Sequence, residues 1–136
     1  MHRSGHARLI RGVLLLGLAG VFLLVASIAF AAEIRTAKPF AGNTVNGGTA
    51  VFSNTGGKRT LTWSDDFKIP GSPAPHWQVV DSKGNVYLLN RLAIKDNKQN
   101  RTIPIPAYVP DIAKVQFWCA WAEVLLGEAP FDKPVK

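Results

Sequence analysis

The sequence predicts an all-β fold: a small antiparallel β-sandwich or barrel-like domain preceded by an N-terminal hydrophobic targeting helix. Three observations carry this. Short segments rich in β-branched and aromatic residues recur between Gly, Pro and Asn turn signals. No segment after Ala32 keeps a three-to-four-residue apolar period across three helical turns. The one long uncharged run, Gly12 to Ala32, lies at the N-terminus behind Arg3, Arg8 and Arg11.

That run divides the chain into residues 1–32 and 33–136. Leu14 to Val25 has the character of a signal-peptide core, with Ala29-Phe30-Ala31 as a small-x-small cleavage site. The same run is long enough to span a bilayer as an uncleaved anchor. Either reading exports residues from about Glu33 onward, to a periplasmic, extracellular or membrane-tethered location. The exported part carries nine lysines and four arginines against nine acids, so most of the chain's +7 charge is scattered surface charge. Lys58-Arg59 is its only adjacent basic pair, which argues against nucleic acid as a partner.

The exported elements follow in order. Thr36 to Gly48 is an irregular lead-in. Thr49 to Ser53 reads as a strand, Asn54-Thr55-Gly56-Gly57 as a turn, and Arg59 to Ser64 as the returning strand, with Leu61 and Trp63 on one face. Asp65-Asp66-Phe67 closes it, the two acids facing water. Pro70 to Pro75 is too proline-rich for regular structure and forms a surface loop. His76 to Val80 and Val86 to Leu89 form a second hairpin around Ser82 to Asn85. Lys95 to Asn100 is a polar turn. Thr102 to Pro106, with Pro104 and Pro106, fits only a sheet edge. Pro110 to Lys114 is expected to make one helical turn with Asp111 near its start. Val115 to Leu125 is expected to be one strand buried on both faces.

That last stretch holds Cys119, the only cysteine of the chain. An exported domain with one cysteine has no internal disulfide, so its core alone must stabilise it. In a continuous strand, Cys119 shares a face with Phe117 and Trp121, which places the sulfur between two aromatic rings. Two readings are open. Cys119 is a small hydrophobe whose burial raises the thiol pKa and makes it inert, or it is a redox thiol, which requires a cation or a helix N-terminus beside the sulfur.

Other chemistry has less support. His76 is the only histidine past the targeting segment, and Ser72 or Ser82 with Asp65, Asp66 or Asp81 has no nucleophile motif around it. One histidine and one cysteine cannot complete a structural zinc site. No metal, catalytic constellation or cofactor is evident. Trp63, Trp77, Tyr87, Trp118 and Trp121 sit at strand spacing and read as core.

Taken together, these residues resemble the DM13 domain, an extracytoplasmic module, over about residues 39–131. The resemblance rests on Phe40, on Thr49-Ala50-Val51-Phe52 after Gly48, and on Thr60-Leu61-Thr62-Trp63 with Phe67. It continues through Gly71 with His76 to Val80, Leu89 and Leu92, and Ile103-Pro104. Its most specific part is Val115-x-Phe117-Trp118-Cys119 followed by Gly127-x-Ala129. The chain departs from the family pattern at Pro73-Ala74-Pro75, Asn90 and Leu126. The resemblance implies an all-β domain with an electron-transfer or redox role centred on Cys119. On that redox reading an unidentified partner protein exchanges with the thiol, and the candidate site neighbours are Phe117 and Trp121, from strand alternation, and His76. The alternative is a non-catalytic surface binding module in which Cys119 only packs.

Overall fold

The computed structural model describes residues 21–26, 32–92, 94–95, 98–99 and 101–136. Most of residues 1–32, on which the expected targeting segment and cleavage motif fall, lie outside the described residues. Among the described residues there is no helix, and none long and apolar enough to cross a membrane. The domain is all-β, built on two four-stranded antiparallel sheets.

The first sheet has the order β1-β2-β3-β8, with β1 Ala32–Arg35, β2 Ala50–Thr55, β3 Lys58–Trp63 and β8 Thr102–Pro104. The β2–β3 hairpin closes on Gly56 and Gly57, both at positive φ (59° and 85°), which the two-residue turn requires. Alternation then sends Ala50, Phe52, Leu61 and Trp63 inward. β8 lies on the edge, so Pro104 sits opposite Thr60 with no further strand beyond it. The Ala32–Arg35 strand had no separate sequence signal, because it follows directly on the uncharged run Gly12 to Ala32.

The second sheet has the order β10-β9-β4-β5, with β4 Pro75–Val80, β5 Val86–Arg91, β9 Ile112–Cys119 and β10 Val124–Val135. Asp81 organises its β4–β5 turn. Its carboxylate accepts the amides of Lys83 and Asn85, the Asn85 side chain and the Tyr87 hydroxyl at 2.8–3.0 Å. The small pair β6 Ile94–Lys95 and β7 Lys98–Gln99 brackets the expected polar turn, whose centre is outside the described residues.

Two expectations are corrected here. Pro110 to Lys114 makes no helical turn: β9 begins at Ile112. Asp111 accepts the backbone N–H of Ser82 at 2.7 Å and its hydroxyl at 2.6 Å, so its side chain ties β9 to another hairpin instead of capping a helix. Val115 to Leu125 is not one strand either. It reverses at Ala120 to Glu123, and Val124 pairs back onto Cys119.

The inner faces of both sheets share one core. Trp63 stacks on Trp77 across it, with ring centroids 5.4 Å apart, and Phe117 contacts Trp77, Phe67 and Phe40 at 4.6–4.9 Å. Rings of this size dominate the apolar area removed from water. With one cysteine the chain has no internal disulfide, and this cluster holds the two sheets together. Trp77 Nε1 is buried without a hydrogen-bond partner. Leaving such a donor unpaired costs about 1–3 kcal/mol, which the burial and stacking of the indole must exceed.

Candidate functional site

Cys119 is the last residue of β9, at one end of the second sheet. Its neighbours follow from the register. Pro75 of β4 sits opposite it on one side and Val124 of β10 on the other, while Phe117 and Trp77 form the next inward-facing pair along. Sheet sidedness therefore puts Cys119, Phe117 and Trp77 on the core face. The intervening pair Trp118 and His76 lies on the outer face.

The sulfur is covered by the reversal Ala120-Trp121-Ala122-Glu123. Cys119 is only 1% exposed, but what lies above it is a single turn. The Ala122 N–H donates to Cys119 Sγ at 3.5 Å. The far wall is the proline-rich loop Ser72 to Ala74, held to the turn by the Ala120 N–H donating to the Ala74 carbonyl at 2.9 Å. The Ser72 hydroxyl lowers the thiol pKa most, followed by the Ala122 amide, with the Ala74 and Trp121 amides adding to it. Burial opposes them and loses: the thiol is lowered from 9.0 to about 7. Backbone N–H groups converging on one atom favour its anionic form, as at the N-terminus of a helix.

Of the expected neighbours, Phe117 is beside Cys119 on the core face. Trp121 is not: it stands in the turn, 77% exposed. The expectation of a sulfur clamped between two rings assumed a continuous strand, and the reversal carries Trp121 out to solvent. His76 lies on the opposite face of β4 from Cys119, paired with Trp118 and Arg91. Its Nδ1 donates to the Ala74 carbonyl at 2.8 Å, the same oxygen that receives the Ala120 N–H. His76 thus reaches the thiol indirectly, by fixing the wall of its pocket.

Ala74, Ala120 and Ala122 are site residues that the sequence did not single out, and the sequence offers Ser72 only as a triad nucleophile without a motif. Ser72 lies in the proline-rich loop, far from Cys119 in sequence, and the other donors to the sulfur are the backbone amides of Ala122, Ala74 and Trp121, which carry no residue-type signal. Glu123 is the one non-glycine residue at positive φ among the described residues (55°), and it closes the turn over the sulfur. A left-handed conformation costs an ordinary L-residue roughly 1–2 kcal/mol, a cost that glycine escapes at the expense of greater freedom when unfolded. Glu123→Gly is therefore expected to raise stability by up to about 1 kcal/mol in urea unfolding. A loss of stability would show that the Glu123 side chain itself supports the turn.

Elsewhere, a groove of about 440 Å³ lies over the outer face of the first sheet, lined by residues including Glu33, Arg35, Asp65, Asp66 and Arg101. Much of its polar lining is internally paired: Arg101 with Asp65 and the Trp63 carbonyl, Arg35 with Thr49, Ser64 with Asp66. Among the described residues no group of three His, Cys, Asp or Glu is placed to hold a metal ion. No protein-family model, curated protein or solved structure significantly matches this chain.

Proposed function

We propose that residues 33–136 form an extracytoplasmic redox module of the DM13 type, with Cys119 as its reacting thiol and no chemistry of turnover beyond it. The observation that carries this reading is the set of N–H groups around the sulfur, with Ala122 donating to Sγ at 3.5 Å inside an otherwise apolar end of the core. A cysteine that only packs has no need of a donor cradle, and burial alone pushes a thiol pKa up.

The reaction this arrangement favours is thiol–disulfide exchange. The Cys119 thiolate attacks one sulfur of a partner's disulfide; the Cys119–partner S–S bond forms as the partner's S–S bond breaks, and the second partner sulfur leaves as a thiolate. A thiol whose pKa is close to ambient pH suits this step, because thiolate fraction and nucleophilicity then balance. The chain has no second cysteine to resolve the mixed disulfide, so resolution falls to a thiol of the partner. Export by the N-terminal segment, cleaved or retained as an anchor, places the module where disulfides persist.

The test is the pH dependence of alkylation of Cys119 in the folded chain. The rate should rise through an apparent pKa of about 7, whereas urea-unfolded chain should show the free-thiol value of about 8.5. Linkage gives a second readout. A folded-state pKa below the unfolded one contributes stability that is complete above about pH 9 and lost as pH falls through 7. The wild-type chain should therefore gain stability relative to Cys119→Ala between pH 7 and 9. A thiol that stays unreactive until the domain unfolds would make Cys119 a core residue and the domain a surface binding module.

A further inference from the structure

We infer that the exposed apolar turn above Cys119 is the docking surface for a protein partner, and that Trp121 is its anchor. This rests on the redox reading of Cys119 and adds what that reading lacks: who meets the thiol, and how.

The first observation is the composition of the turn. Trp121 is 77% exposed, Val124 47% and Leu125 37%, all within six residues of a sulfur that is itself covered. Leu125 pairs with Trp118, itself half-buried, so the patch runs from the turn onto the outer face of the second sheet. Tryptophan is over-represented among residues that dominate binding energy, and an exposed indole flanked by aliphatics costs solubility unless something covers it.

The second observation favours a protein over the membrane for a chain that keeps its N-terminal segment as an anchor. Ala32, where the targeting segment joins the domain, pairs with Asn54. The Asn54 side chain donates to the carbonyl of Lys136, and Val135 pairs with Ile112. The N-terminal segment therefore enters at the Ile112 end of β9, and Cys119 is at the other end. At roughly 3.3 Å per residue the two ends are about 23 Å apart. In a tethered chain the Trp121 turn points away from the bilayer that holds it. Its apolar residues are then presented to a partner in the aqueous compartment.

The third observation is the covering of the sulfur. A partner disulfide reaches Sγ only if the Ala120 to Glu123 turn moves. The turn is the piece that binding on Trp121 grips, and it already holds Glu123 in a left-handed conformation. The occupant that fits is a polypeptide segment whose disulfide is flanked by apolar side chains. Its contacts with Trp121, Val124 and Leu125 would supply the energy that opens the turn.

The test compares three disulfides on the full-length chain, following mixed-disulfide formation at Cys119 by mass. They are hydroxyethyl disulfide, a cystine-bridged peptide with leucine and valine flanks, and the same peptide with serine and glutamate flanks. Wild type should react at least about tenfold faster with the apolar peptide than with the polar one. Trp121→Ser should remove that preference, the apolar and polar peptides then reacting at equal rates; Leu125→Ser should reduce it in part. Equal rates with both peptides in wild type, or a Trp121→Ser variant slowed equally with all three reagents, would overturn the docking inference while leaving the redox reading intact. Trp121-dependent binding to phosphatidylcholine vesicles in place of peptide discrimination would overturn it in favour of a lipid surface. No reaction with any of the three until the chain is unfolded would sink the redox reading, and the docking inference with it.

Discussion

Trp77→Ala is expected to cost about 3–5 kcal/mol, enough to remove most of the stability of a domain whose total is of order 5–15 kcal/mol. Trp77 is fully buried, stacks on Trp63 of the opposite sheet at 5.4 Å and touches Phe117 at 4.9 Å, so its loss opens a cavity between the two sheets. Neighbouring rings cannot all collapse into it. Phe117 is already held by Phe40 and Phe67, and Trp63 by Phe67. Trp77→Phe separates packing from the unpaired N–H. It keeps a ring and removes the orphaned donor, so its cost should stay below about 2 kcal/mol. Urea unfolding followed by fluorescence measures both. An alanine variant within 1 kcal/mol of wild type would mean that the sheets are held by something other than this aromatic cluster. The experiment also bears on the thiol, because Phe117 and Trp77 form the floor on which the Cys119 pocket rests.

The residues that made the fold legible are those whose chemistry is local. Gly56-Gly57 marked a hairpin because only glycine accepts two successive positive φ values cheaply, and Pro104 marked an edge because it has no N–H to give a neighbour. The site was far less legible. Its defining event is the reversal after Cys119, made by Ala-Trp-Ala-Glu, which contains no glycine, proline or asparagine. Glu123 takes the left-handed position that a turn-reading argument reserves for glycine or asparagine. Missing that turn turned a hairpin into one strand and put Trp121 on the wrong side of the sulfur. β10 was hidden in the same way. Gly127, Pro130 and Pro134 are residues that ordinarily interrupt a strand, yet they sit in a twelve-residue one whose register shifts absorb them. Asp111 misled for another reason: its spacing suits a helix start, and the hydrogen bonds that use it come from Ser82, 29 residues away. The donors around the sulfur are mostly main-chain amides, and a sequence is silent about those.

Gly127→Ala is expected to destabilise the domain by about 1–3 kcal/mol and, unlike a mutation in the distant core, to speed alkylation of Cys119. A Cβ on Gly127 would come within 2.7 Å of the Val45 carbonyl oxygen and 2.8 Å of Val45 Cβ. On the facing side a Cβ on Gly42 would meet the Leu126 carbonyl and stand 2.5 Å from Gly127 Cα. Both contacts involve main chain, which cannot swing aside as a long side chain can. The two backbones are held in this approach by Thr44 and Val45, whose N–H groups both donate to the Leu126 carbonyl, and by the Ala41–Glu128 bridge. Leu126 is the inserted residue of the register shift, three residues beyond Glu123. Any displacement of β10 there is transmitted to the turn that covers the sulfur, and the Ala122 N–H moves with it. Gly71 supplies the control, since a Cβ added to it meets nothing within 4 Å and Gly71→Ala should leave stability and thiol reactivity unchanged. If Gly127→Ala destabilises the domain in urea yet leaves the alkylation rate of the folded chain at the wild-type value, the turn is held independently of β10. Opening at Cys119 would then have to be driven from the Ser72 to Ala74 wall, where His76 and Ala120 share the Ala74 carbonyl.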